Sequence, residues 1–212
     1  NKLSGLPVHG GTGVSTGLIE AFRQINPEAR FLELVHRLDR ETSGCLMIAK
    51  KRRMLLLLQD KLRQRVVKKQ YLALVKGVWK GGARVADVPL ERYVRASGER
   101  FVRVSPTGKA ALTRFRPVRQ FAEMTLLEAQ PVTGRTHQIR VHARHLGYPL
   151  VGDTKYGDPV FNLAMRRFGC SRLFLHAQSL EIKLPEIDQI LSVLAPLDKE
   201  LEAFLDKLPP LK

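Results

Sequence analysis

The sequence predicts an α+β fold. Three observations carry that reading: roughly nine or ten segments of strand length and β-type composition, few long helical patterns, and hairpin signals between residues 84 and 130. The 212 residues suit a single domain, 1–212, and the hydrophobic fraction of 44% is that of a globular chain. No apolar run approaches the ~20 residues that span a membrane, and the start, NKLSGLPVHGG, lacks the apolar stretch of a secretion signal. Two cysteines, Cys45 and Cys170, are too few for a disulfide framework, so a reducing, cytoplasmic setting fits best. Membrane-spanning and disulfide-stapled classes are thereby excluded.

In order along the chain, the glycine-rich opening through Gly13 invites a phosphate-loop reading, but no Gly-Lys-[Ser/Thr] follows. Residues 14–26 read as a short helix with Leu18, Ile19 and Phe22 inward, stopped at Asn26-Pro27. Two apolar runs, 31–35 and 45–49, then flank a polar loop, 34–44, in which Gly44 allows a sharp turn. A helix over 51–66 places Leu55, Leu58, Leu62 and Val66 on one stripe, with Arg52, Arg53, Lys61, Arg63 and Arg65 on the remaining surface. Residues 69–75 alternate as a half-buried strand does. Turn signals at 96–99 and 105–109 divide residues 84–130 into at least four strands, lined by arginines that suggest a twisted ribbon with a cationic side. A helix from about Thr136 to Leu146 buries Ile139, Ala143 and Leu146 and ends at Gly147.

Charge narrows the function classes. Thirty-six Lys and Arg against 20 Asp and Glu give a formal +16, with a pI near 10.4. Such an excess predicts a polyanionic partner, because each phosphate contact releases counterions. The excess is uneven: residues 181–212 hold seven acidic groups against four lysines, so the C-terminal end is not the expected binding face. Three histidines, His137, His142 and His145, do not share one helix face and have no interleaved carboxylate or cysteine. No metal site is expected.

The loop LVHRLDRETSG holds one carboxylate, Asp39, between Arg37 and Arg40. Such an Asp is either a turn residue capping its own backbone or a catalytic carboxylate kept ionised by guanidinium neighbours. HRLDRETSG resembles the catalytic motif of the pseudouridine synthases, in the branch that modifies ribosomal and transfer RNA, where the motif's Asp is indispensable. Further landmarks of that family follow in order. Lys2 and Gly5 match its first motif, with Leu3 where proline is usual, and Tyr71 with Ala73 matches its second. Gly134-Arg135-Thr136-His137-Gln138-Ile139-Arg140 matches its third, and Gly152 to Gly157 and Leu175-His176-Ala177 complete the set.

The resemblance implies a mixed, largely antiparallel twisted sheet with flanking helices and a basic central cleft. It also implies isomerisation of specific uridines, most plausibly in large-subunit ribosomal RNA, by a catalytic domain acting as a monomer. The small N-terminal RNA-binding module that relatives often carry is expected to be absent here, naturally or by truncation. Catalytic roles fall to Asp39, Tyr71 and Arg140, with Arg140 pairing with Asp39. Substrate contacts fall to Arg37, Ile139 and Arg135, and Arg37 is the side chain expected to fill the place of a flipped base. Breaking the C1′–N1 bond and rejoining uracil through C5 involves no redox change and no group transfer, so no cofactor is required. The carboxylate's role, attack at C1′ or C6 or removal of a C2′ proton, stays open. Two other classes fit the charge: a non-catalytic RNA-binding or ribosome-assembly protein, and a metal-free ribonuclease using His36.

Overall fold

The computed structural model describes residues 1–11 and 16–211. The chain order is α1 (Leu18–Ile25), β1 (Glu33–Leu34), β2 (Ser43–Gly44), β3 (Ile48–Ala49), α2 (Arg52–Arg63), β4 (Lys68–Lys76), β5 (Arg84–Asp87), β6 (Leu90–Val94) and β7 (Arg100–Val104). There follow β8 (Leu112–Gln120), β9 (Met124–Pro131), α3 (Gln138–His145), α4 (Pro159–Phe168), β10 (Leu175–Leu184), β11 (Gln189–Leu194) and α5 (Lys199–Asp206). The α+β class and the mostly antiparallel sheet expected from the sequence are both present. No helix among the described residues is long and apolar enough to cross a membrane.

The chain divides into two compact units. The first comprises Asn1–Lys68 with Ala177–Pro196, and the second Lys69–His176 with Leu197–Lys212. In the first, β1 and β3 form an antiparallel ribbon, Glu33 opposite Ala49 and Leu34 opposite Ile48. β10 pairs with β11 from Ser179–Leu194 to Leu184–Gln189. Val8, Leu18, Ile19, Leu32 and Leu34 form this unit's buried cluster. In the second unit the strands run β4-β9-β8-β5, each neighbour antiparallel. The β8–β9 register slips between Pro117 and Arg119, where proline has no N–H to continue the ladder. β6 and β7 stand apart as a two-stranded ribbon. Its turn is closed by the Arg95–Glu99 and Gly98–Arg95 hydrogen bonds, with Gly98 at φ +79°, as the turn signal at 96–99 implied. Around the sheet, Leu74, Phe121, Phe174, Leu201 and Phe204 pack one core cluster, while Val75, Trp79, Phe115, Leu127 and Ile139 pack another.

Several expectations are corrected. The helix expected over 14–26 spans Leu18–Ile25, and residues 14 and 15 lie outside the described residues. With so few turns it has room for two inward positions, Leu18 and Ile19, and Phe22 is exposed. The runs 31–35 and 45–49 pair over two residues each rather than five, because backbone hydrogen bonding leaves the ladder at His36, whose Nε2 accepts the Met47 amide at 3.1 Å. α2 stops at Arg63. The chain reverses through Arg65 at φ +61°, with Val66 N–H donating to the Lys61 carbonyl, which turns Val66 outward and Val67 inward. Lys61, expected on the cationic surface, is buried and paired with Glu186 at 2.5 Å.

Candidate active site

The polar loop of the first unit is held by the chain's own start. Lys2 is buried, and its ammonium donates to three carbonyls, Leu3 at 2.8 Å, Leu6 at 2.9 Å and Arg40 at 3.0 Å. Lys2 and Gly44 exchange two backbone bonds of 2.8 and 2.9 Å, Gly5 N–H donates to the Arg40 carbonyl, and the Ser4 hydroxyl donates to the Glu41 carbonyl. At the loop's far end Gly44 has φ +108°, and a Cβ there would lie 2.2 Å from the Ala177 carbonyl oxygen. Only glycine fits, because two backbones meet at that point. Within this frame Asp39 is half-buried, and its carbonyl accepts the Thr42 amide at 3.1 Å. Arg37 is exposed. Arg40, the other arginine beside Asp39 in sequence, donates from Nε to the Gly5 carbonyl at 2.9 Å. His36, the residue a ribonuclease reading needs, accepts a backbone amide on Nε2.

In the second unit, Tyr71 lies on β4 opposite Ala129 of β9, half-buried against the cluster that includes Ala73 and Ile139. Lys69 stands two residues earlier on the same strand face, and burial pushes its ammonium down from the ordinary lysine value. Sequence reasoning had not singled it out.

Arg140, on α3, is 5% exposed at its side chain and forms a bidentate pair with Asp153, which is 0% exposed. Nε reaches Oδ2 and Nη2 reaches Oδ1, each at 2.7 Å. Burial alone would raise the Asp153 carboxyl. The Arg140 hydrogen bonds and charge, with the Tyr156 and Lys155 amides donating at 2.9 Å, outweigh it and hold Asp153 below the usual carboxylate range.

The segment carrying Asp153 is itself braced. Asn162 accepts the Gly152 amide and donates to the Asp153 carbonyl, both at 2.9 Å. A Cβ on Gly152 would sit 1.9 Å from the Arg172 carbonyl oxygen. The Tyr156 ring centroid lies 5.0 Å from the Arg140 guanidinium carbon. The Tyr156 hydroxyl takes the Val102 amide at 3.0 Å and meets His137 Nδ1 at 2.7 Å. His137 begins α3 in the left-handed region, φ +53°, a conformation non-glycine residues adopt only when their surroundings hold them there.

Of the other histidines, His142 is fully buried, its ring bonded to the Thr113 hydroxyl and the Val88 carbonyl, and burial pushes its pKa down. Among the described residues no group of three or more His, Cys, Asp and Glu is placed to hold a metal ion. Arg135 is exposed, with Nε donating to the Ala110 carbonyl at 3.1 Å. Ile139 is a core residue. Asp153 is the functional residue the sequence reading left without a role, although the Gly152–Gly157 landmark contained it. The signal was the landmark's lone carboxylate next to a cation-rich helix.

Comparison with known proteins places the chain among relatives. The sequence profile of the family described as RNA pseudouridylate synthase matches residues 1–145. The chain is 51% identical over 208 residues to the ribosomal large subunit pseudouridine synthase C of Pasteurella multocida, covering 98% of this chain and 64% of that protein. The protein of the same description from Escherichia coli K12 is 49% identical over 210 residues, 98% of this chain and 66% of that one. The chain thus spans just under two thirds of the length of these curated relatives. The solved human RNA pseudouridylate synthase domain containing 4 superposes with a TM-score of 0.77 at 28% identity, covering 100% of this chain and 90% of that one. The human domain containing 1 protein, at 24% identity and a TM-score of 0.78, shares the fold. With a loop strapped at both ends around Asp39, a buried arginine clamped by the Gly-Asp-x-x-Tyr-Gly segment, and a profile match across residues 1–145, this chain belongs to the RNA pseudouridylate synthase family.

Proposed function

We propose that this chain is the catalytic domain of an RNA pseudouridine synthase that isomerises specific uridines in large-subunit ribosomal RNA, working as a monomer in the cytoplasm without a cofactor. The observation that carries the reading is about 50% identity to proteins described as ribosomal large subunit pseudouridine synthase C, sustained over 98% of this chain. The formal charge of +16 supports an RNA partner.

The reaction needs one ionised carboxylate, a fixed cation and an acid–base group for the C5 proton. In this proposal Asp39 is the carboxylate, Arg140 the cation and Tyr71 the acid–base group. Arg37, Arg135 and Ile139 contact the substrate, Arg37 filling the place of the extruded base. The loop around Asp39 suits that work, since Lys2 and Gly44 fix its backbone while the carboxylate stays half-buried. Arg140 suits its own role because Asp153 and the Tyr156 ring hold the guanidinium in one orientation. Carbodiimide mapping of ribosomal RNA from cells lacking this protein tests the reading. Loss of discrete pseudouridines from large-subunit RNA, at unchanged RNA length, is expected. A complete set of pseudouridines refutes it.

A further inference from the structure

At the root of the β6–β7 ribbon the second unit carries an open cavity of about 390 Å³, walled also by the turn at 107–109 and the loop at 134–136. Its frame is stiff. Leu90 and Lys109 exchange backbone hydrogen bonds of 3.0 and 2.8 Å, and a Cβ on Gly108 would lie 2.6 Å from the Leu90 carbonyl carbon. Three cations line it: Arg92, Lys109 and Arg135. Arg92 is bonded to the Thr136 hydroxyl and Arg135 to the Ala110 carbonyl, both neutral partners. Among the described residues, none of the three has an acidic partner. The lining carboxylate, Glu91, is committed to Arg103 at 3.0 and 3.1 Å. The cavity therefore carries uncompensated positive charge beside the apolar Leu90 and Val102.

This pairing of cations with an apolar wall matches a nucleotide, with its phosphate and its flat base, rather than a bare phosphate, and the volume falls within the few hundred Å³ typical of small-ligand sites. We infer that the cavity holds one nucleotide of the bound RNA strand, its phosphate between Lys109, Arg92 and Arg135 and its base against Leu90 and Val102. The inference rests on the RNA reading above and gives the substrate contact assigned to Arg135 a defined occupant, one nucleotide of the strand.

Two substitutions test it. Lys109→Gln deletes a proposed phosphate contact. Gly134→Val adds bulk to the cavity's lining at a position with ordinary φ where a Cβ meets no atom within 4 Å, so the fold tolerates it. Binding of transcribed large-subunit ribosomal RNA is measured across a salt series, with pseudouridine formation by the wild type on the same RNA. Lys109→Gln should lower the salt slope by about 1, and Gly134→Val should raise Kd about tenfold, with melting unchanged in both. Wild-type Kd and slope in both variants overturn the inference, while pseudouridine formation by the wild type in that case leaves the proposed function standing. Amide shifts at Gly108 and Gly134 with uridine 5′-monophosphate, combined with unaltered RNA binding by the variants, would mark a free-nucleotide site and overturn it too. No pseudouridine from the wild type instead sinks the proposed function, and the binding comparison still decides the cavity.

Discussion

Asp153→Asn isolates the clamp on Arg140. The substitution keeps the side-chain shape but removes the negative charge opposite a guanidinium that is 5% exposed, and places an amide donor where an acceptor took a 2.7 Å hydrogen bond. Removing one member of a buried ion pair costs roughly 3–5 kcal/mol. For a chain of this length that lowers Tm by about 6–20 °C. The single tryptophan, Trp79, sits 1% exposed in the cluster that holds Ile139 and Ala143, so its fluorescence reports the melting of this unit directly.

The pH dependence supplies a second check. The folded Asp153 carboxyl lies below its ordinary value of 3.8, so its stabilisation is present above that value and is lost as pH falls through the folded pKa. The gap between wild type and Asp153→Asn should therefore be full at pH 7, shrink below about pH 4, and close in stronger acid. A Tm drop under about 3 °C at pH 7, or a gap that ignores pH, refutes the clamp.

Three further outcomes follow from the geometry. Gly44→Ala should destabilise by about 2 kcal/mol or more in urea unfolding, since the Cβ would lie 2.2 Å from the Ala177 oxygen, whereas Gly134→Ala in open space should stay within about 0.5 kcal/mol. Lys2→Met keeps the buried stem but removes the donor to three carbonyls, for a loss of roughly 2–3 kcal/mol and faster hydrogen exchange at the Gly5 and Gly44 amides. Tyr71→Phe keeps the ring packed against its cluster and should change stability by no more than about 1 kcal/mol, yet abolish tritium release from 5-³H-uridine RNA; wild-type release would make Tyr71 a packing residue.

Local pattern foretold the elements whose residues decide their own conformation. The run 69–75 lies within β4, although Leu72 to Val75 are buried in succession rather than in alternation; Gly98 turns the ribbon with φ +79°, and Ile139 and Ala143 are among the buried positions of α3, which Gly147 ends at φ +88°. Partnerships between distant segments were not legible. The lone carboxylate of the Gly152–Gly157 landmark could be seen, but its pairing with Arg140 could not, nor could that of Lys61 with Glu186, because an ion pair is chosen by where two elements come to rest. Lys2 could be matched to a motif but not to its task, which depends on three carbonyls gathering around one ammonium. Arg40 likewise has a task that adjacency to Asp39 did not suggest: its side chain straps the loop to Gly5. The strands flanking the loop were overestimated in length because apolar composition does not count backbone partners.

The central claim is that Asp39 performs chemistry on uridine within RNA. Its most direct test compares wild type and Asp39→Ala on transcribed large-subunit ribosomal RNA, measuring RNA affinity and pseudouridine content after nuclease digestion. Asp39 is half-buried and its carbonyl bond to Thr42 survives truncation, so the variant should fold and bind RNA with an affinity close to wild type. The wild type should convert uridine to pseudouridine with RNA length unchanged, and Asp39→Ala should form none. Pseudouridine formation by Asp39→Ala at a rate near that of the wild type would contradict the account at its centre.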